Sequence, residues 1–214
     1  MVECGCQLID QTQLSRWRPS PIRAATLLVG AWLFGAGEAL LVAANLGNSP
    51  WTVLAQGASV RTGLSIGVMT NVIGLLVLAL WIPLRQRPGL GTVSMVLIVG
   101  MSMDITLACL PQMDAPAVRL CAVIGGIVIT AIGTGLYLGS ALGPGPRDGL
   151  MTGLHRVTGL PLGWTRAAVE IFVLVTGYAL GGTAGVGTVV YALFIGPAVH
   201  TAVRLLSRIP TEQL

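Results

Sequence analysis

Apolar residues run along this chain in blocks of about 20, the length a helix needs to cross a hydrocarbon core. Six such blocks stand out: Ile22 to Ala44, Ser65 to Leu84, Gly91 to Leu110, Leu120 to Ala141, Ala167 to Leu180 with its flanks, and Val186 to Val203. Two shorter amphipathic stretches follow the first and fourth blocks, at 50–61 and 146–157. Each opens on a proline, Pro50 or Pro146, a residue favoured in the first helical turn. In the second stretch Asp148, Thr152 and His155 share one face, and Leu150, Leu154 and Val157 the other. Thr52, Gln56 and Ser59 form the matching polar face of the first. At about a dozen residues neither stretch is long enough to span, so each is expected to lie on the membrane surface or to dip into it.

Laying the chain over itself with a shift of 96 residues, the distance from Pro50 to Pro146, aligns the turn residues of its two halves. Leu46, Gly47 and Pro50 fall on Leu142, Gly143 and Pro146. Thr62-Gly63-Leu64 falls on Thr158-Gly159-Leu160, Gly67 on Gly163, Gly89 on Gly185, Gly91-Thr92-Val93 on Gly187-Thr188-Val189, and Gly100 on Gly196. Shared hydrophobicity alone aligns Leu and Val at random offsets and does not align loops, so the pattern reads as an internal duplication. The organisation it predicts is a polar tail over 1–18, one unit over 19–111, a second over 112–208 and a short tail over 209–214.

Composition fits lipid rather than water. Charged residues are 9% of the chain, against roughly 25% in a soluble domain. All twelve basic residues are Arg, and they are scattered between apolar blocks, which is no footprint for nucleic acid. Three spans per unit is an odd number, so the second unit enters the membrane from the opposite side and the repeat is inverted. Charge gives an independent check. Arg16, Arg18 and Arg23, then Arg85 and Arg87, then Arg147, Arg156 and Arg166, then Arg204 and Arg208 all fall on one side. The positive-inside bias makes that side cytoplasmic, with both termini there. The expected fold is therefore an all-α membrane protein of six transmembrane helices in two inverted three-helix repeats, each with a short amphipathic or re-entrant helix. Trp51, Trp81 and Trp164 sit at block edges, where indoles favour the headgroup region. Gly135 and Gly139 suit close helix packing. Cys109 and Cys121 read as small packing residues, and Cys4 and Cys6 as a C-x-C without further ligands for a metal.

Ionisable groups within the apolar blocks are costly and therefore informative. Glu38, Asp104, Glu170 and His200 are the candidates for a substrate or ion pathway. Asp104 and His200 are partners under the shift, both late in their helices and within reach of an interface. Glu170 lies four residues from Arg166, the spacing of a helical ion pair; Glu38 has no such partner. The run Leu142-Gly-Pro-Gly-Pro-Arg-Asp-Gly149 sets an abrupt reversal that aims a helix N-terminus, a natural anion site. Its candidate residues are Gly145, Pro146, Arg147 and Asp148, with Pro50, Trp51 and Thr52 at the corresponding place in the first unit. The competing reading is a structural turn in which Arg147 and Asp148 pair. No phosphate loop, zinc motif or activated nucleophile is present, so neither an enzyme nor a cofactor or metal is expected.

These same residues resemble the YczE/YitT-type family of bacterial integral membrane proteins. The likeness rests on Leu46-Gly-Asn-Ser-Pro-Trp-Thr-Val, Thr62-Gly-Leu-Ser-Ile-Gly, Gly89-Leu-Gly-Thr and above all Leu142-Gly-Pro-Gly-Pro-Arg-Asp-Gly-Leu-Met-Thr-Gly-Leu-His155. It covers about Arg18 to Arg208 and is nearest the YczE-like branch, which lacks the C-terminal soluble domain of YitT-type members. The resemblance implies a bacterial inner-membrane location and brings no substrate. Architecture points to a small-solute or ion transporter or channel with its pathway between the inverted units. The alternatives are a non-transporting membrane partner or scaffold for a cytoplasmic enzyme system, and a substrate-capturing subunit of an importer. The expected partners are the lipid bilayer and an unknown small solute or ion, with no nucleic acid; a homo-oligomer stays open.

Overall fold

The computed structural model describes residue 17 and residues 19–206. Cys4, Cys6, Arg16, Arg18, Arg208 and most of both tails lie outside them. Eight α-helices and no strand are found among the described residues: α1 (Pro21–Ala44), α2 (Pro50–Thr62), α3 (Ile66–Leu80), α4 (Leu90–Cys109), α5 (Pro116–Gly139), α6 (Pro146–Thr158), α7 (Leu162–Ala179) and α8 (Val186–Leu206). Local chemistry sets their ends. Ser20 caps α1, accepting the Arg23 N–H, and Ser65 caps α3, accepting the Val68 N–H. Both short helices start on a proline and stop on a left-handed glycine, Gly63 at φ 75° and Gly159 at φ 71°. A Cβ at Gly63 meets nothing within 4 Å, so Gly63→Ala tests backbone strain alone. It is expected to cost about 1 kcal/mol, read as a small drop in thermal midpoint in detergent.

The 96-residue shift carries contacts as well as residues. The buried cluster of Leu27, Ala31, Met95, Val99, Tyr137 and Leu142 maps onto Val123, Ile127, Tyr191, Ile195, Leu41 and Leu46, which form or pack against a second cluster. α1 and α5 cross backbone to backbone: a Cβ on Gly30 would lie 2.9 Å from the Gly133 carbonyl, and one on Gly37 2.7 Å from that of Gly126. Those two contacts are images of each other. So are two hydrogen bonds between the halves, Gly91 N–H to Leu142 O at 3.0 Å and Gly187 N–H to Leu46 O at 2.8 Å. The loops before the short helices match even in strain, with Gly47 at φ 118° and Gly143 at φ 124°.

Several expectations change. Four helices, α1, α4, α5 and α8, are long and apolar enough to cross a membrane, and a fifth span is reached if α2 and α3, bent by 113°, count as one. The 15 residues of α3 reach only about 22 Å, and α7 carries Arg166 and Glu170. The polar face of α2 is turned inward over its first turns: Thr52 is buried, half-buried Gln56 accepts from Asn48 and from the Thr183 N–H, and Ser59 near the end of the helix is partly exposed. Trp51 and Trp81 are interior residues, 7% and 2% exposed, while Trp164 is exposed. The Trp81 indole donates to the Pro146 carbonyl, a partner that holds it inside rather than at a headgroup. Cys109 and Cys121 are exposed free thiols, not packing residues. Gly135 does pack near Ala202, but Gly139 faces open space. A belt of large apolar side chains, Ile171, Phe172, Val175, Leu193 and Phe194 among them, is more than half exposed, an outer surface suited to lipid.

Candidate functional site

Both short helices bring their N-terminal ends to one place. Ser49, Pro50 and Trp51 from the first, and Gly145, Pro146, Arg147 and Asp148 from the second, line a cavity of about 430 Å³ between the two halves. That is within the roughly 300–1,000 Å³ of small-molecule pockets. Phe34 of α1, Met95 and Val99 of α4, Thr134 and Tyr137 of α5, Arg166 and Glu170 of α7, and Tyr191, Gly196 and His200 of α8 also line it, with Thr70 and Gly74 of α3. Each short helix is aimed by a break in the chain that a proline opens, so the shape of the cavity follows directly from the two Gly- and Pro-bearing loops.

Its charged groups are unequally satisfied. Arg166 and Glu170 pair at 2.8 Å one helical turn apart, as their spacing predicts. Asp148 accepts a short hydrogen bond from the Tyr137 hydroxyl. Arg147 is different. Its guanidinium lies 5.8 Å from the ring centre of Phe34 and 5.2 Å from that of Trp51, and it joins no ion pair among the described residues. The structural pairing of Arg147 with Asp148 is therefore not made. Two aromatic faces hold the cation in place, each contributing roughly 0.5–2 kcal/mol, with no carboxylate in ion-pair contact with it among the described residues.

Glu38 lies behind the wall, 1% exposed. One carboxyl oxygen accepts from Ser49 and Thr52, each at 2.6 Å, and the other from Tyr191 at 3.0 Å. Hydrogen bonds from the start of α2 and from α8 offset the cost of burying the acid. Ser49 and Tyr191 both face the cavity, so Glu38 is one hydroxyl away from any solute in it. Asp104 stands apart from the cavity: it accepts from the Ser65 hydroxyl at 2.5 Å and from the Gly67 N–H at 2.8 Å, tying α4 to the start of α3. His200 is exposed and lines the cavity.

The structure thus brings Pro50, Trp51, Gly145, Pro146, Arg147, Asp148, Glu170 and His200 around one space, puts Glu38 and Thr52 directly behind it, and leaves Asp104 on a helix seam. Sequence reasoning missed Phe34, Ser49, Tyr137 and Tyr191. The chain has three tyrosines, and two of them, Tyr137 near the end of α5 and Tyr191 near the start of α8, were a usable signal, since a buried phenol needs a partner.

The sequence profile of a family of unknown function, DUF6198, matches residues 21–204. An uncharacterized protein of Haemophilus influenzae is 36% identical over 196 residues, covering 92% of this chain and 90% of the relative. The uncharacterized membrane protein YczE of Bacillus subtilis is 29% identical over 152 residues, 71% of each chain. The uncharacterized protein YyaS of the same organism is 25% identical over 186 residues, 84% of this chain and 92% of that one. No solved structure matches. The YczE-like resemblance read from the loop motifs holds, and with the long apolar helices it makes the chain a membrane protein.

Proposed function

Since the chain belongs to the DUF6198 family, for which no function is established, we propose from its cavity that it is a transporter of a small organic anion. The observation that carries this reading is Arg147, a guanidinium in no ion pair among the described residues and held between two aromatic rings at the wall of a solute-sized space. The N-terminal ends of α2 and α6 meet the same space, and helix dipoles there favour negative charge. Apolar neighbours such as Phe34, Met95 and Val99 fit an anion with a hydrocarbon part.

In this reading the protein sits in the bacterial inner membrane with both termini cytoplasmic. Six crossings form two inverted units, with α3 and α7 as the short and polar crossings. Interrupted helices that point at a midplane site between inverted repeats are a recurrent transporter arrangement. Irregular backbone at membrane depth is tolerated where protein buries it or it lines a cavity, which describes the loops at 45–49 and 141–145. An open interior with Arg147 turned into it supports transport over a scaffold that docks a cytoplasmic enzyme through that arginine.

Purified protein screened against small carboxylates, phosphates and sulfonates is expected to gain thermal stability with at least one class. A ligand at a hundred times its Kd adds about 2.7 kcal/mol. Arg147→Ala is expected to lose that ligand-dependent rise, whatever its own midpoint, and the same anion to accumulate in proteoliposomes only with the parent protein. A rise undiminished in Arg147→Ala, or none with any anion, sinks the proposal.

A further inference from the structure

The seam between α3 and α4 is shut, whereas its counterpart between α7 and α8 stands open. In the first, Gly67 and Gly100 meet backbone to backbone: a Cβ on Gly67 would lie 2.1 Å from the Gly100 carbonyl, and one on Gly100 2.2 Å from that of Gly67. Asn71 bridges the same place, donating to Leu97 O and accepting the Gly100 N–H, and Asp104 ties the end to Ser65 and Gly67. The shift by 96 turns Gly67 and Gly100 into Gly163 and Gly196. A Cβ on either meets nothing within 4 Å. α7 and α8 scarcely touch, and the cavity reaches into the gap, lined there by Arg166, Gly196, Val199 and His200.

We propose that this gap is a gate, and that the structure is one of two end states. In the other state Gly163 closes on Gly196 as Gly67 now closes on Gly100, while the α3–α4 seam parts. The inference rests on the transport reading, and with the orientation given there the present opening faces the cytoplasm. A glycine on an exposed helix face weakens the helix and gains nothing unless a backbone comes close to it. Gly139 is also uncontacted, so an open glycine alone proves little. Gly163 and Gly196 differ because their images make one of the closest backbone contacts in the molecule. The latch is one-sided: Pro161, Ala167 and His200 stand where Ser65, Asn71 and Asp104 do. The open α7–α8 state is therefore the resting one, and Asp104 holds it by keeping the opposite seam shut.

The test is Pro161→Cys with His200→Cys, the images of Ser65 and Asp104, whose side chains meet at 2.5 Å in the shut seam, in a background whose four native cysteines are replaced by serine, treated in membrane vesicles with a short thiol cross-linker. Both positions are exposed, and Gly163 and Gly196 are left free to close. Slow intramolecular cross-linking is expected, and adding Asp104→Ala is expected to speed it by about a hundredfold or more, the size implied by losing two hydrogen bonds to a carboxylate. No cross-link in either background, in protein that stays monodisperse, overturns the gate. A rate unchanged by Asp104→Ala overturns the latch. A seam that cross-links in a protein that no anion stabilises supports the gate and removes the transport reading, so the two fail separately.

Discussion

Glu38→Ala is expected to destabilise the protein by about 3 kcal/mol, because it takes the shared acceptor away from the Ser49, Thr52 and Tyr191 hydroxyls. Thr52 is fully buried, and its hydroxyl is left with Ser49 alone. Ser49 and Tyr191 face the cavity, where water can replace the lost acceptor, which keeps the cost below that of three sealed orphans. Glu38→Gln keeps the shape. Its amide oxygen accepts from Ser49 and Thr52, and its amide nitrogen donates to a turned Tyr191 hydroxyl, so a loss of about 1 kcal/mol is expected. Thermal or denaturant unfolding of the three proteins in one detergent decides it. Equal losses for Gln and Ala show that the negative charge, not the hydrogen-bond count, holds this junction of α1, α2 and α8.

How much of this was legible in the sequence follows from the range of each interaction. The ends of the short helices were readable to within a residue or so, because Pro50, Gly63, Pro146 and Gly159 act on their own backbone. The relation between the halves was readable because turn residues resist drift that apolar ones tolerate. Radial direction was not. Trp51 and Trp81 lie at block edges, as headgroup residues do, and nothing local says that their rings turn inward against Arg147 and Gly149. The partner of Glu38 was hidden for the same reason, since Tyr191 lies 153 residues away. The length of a helix was misjudged where apolarity ran past its end: the block Ser65 to Leu84 contains a helix that stops at Leu80 and then turns. Six blocks of similar apolarity fold as four long helices, one bent pair and one polar helix.

Gly149→Val is expected to cost about 3 kcal/mol or more, and Trp81→Gly to repair part of it. A Cβ on Gly149 would lie 1.9 Å from the Trp81 ring, and that ring is 2% exposed and anchored to the Pro146 carbonyl at 3.0 Å. Overpacking of this kind costs about 3 kcal/mol or more when the neighbour has nowhere to move. The other half solves the same contact with its bulk reversed. Under the 96-residue shift Gly149 corresponds to Val53 and Trp81 to Gly177, and a Cβ on Gly177 would lie 2.6 Å from the Val53 carbonyl carbon. Putting valine on the short helix and glycine on its neighbour therefore rebuilds an arrangement the protein already contains. Trp81→Gly alone removes a large buried side chain and should cost about 3–5 kcal/mol. The double variant should fall short of the summed losses by about 2 kcal/mol, a coupling within the range of side chains in contact. A strictly additive cycle means that the two halves pack their short helices by unrelated rules. A coupled one means that the same joint was built twice with the large residue on opposite sides, which leaves α6 hinged on an aromatic ring and α2 packed against bare backbone.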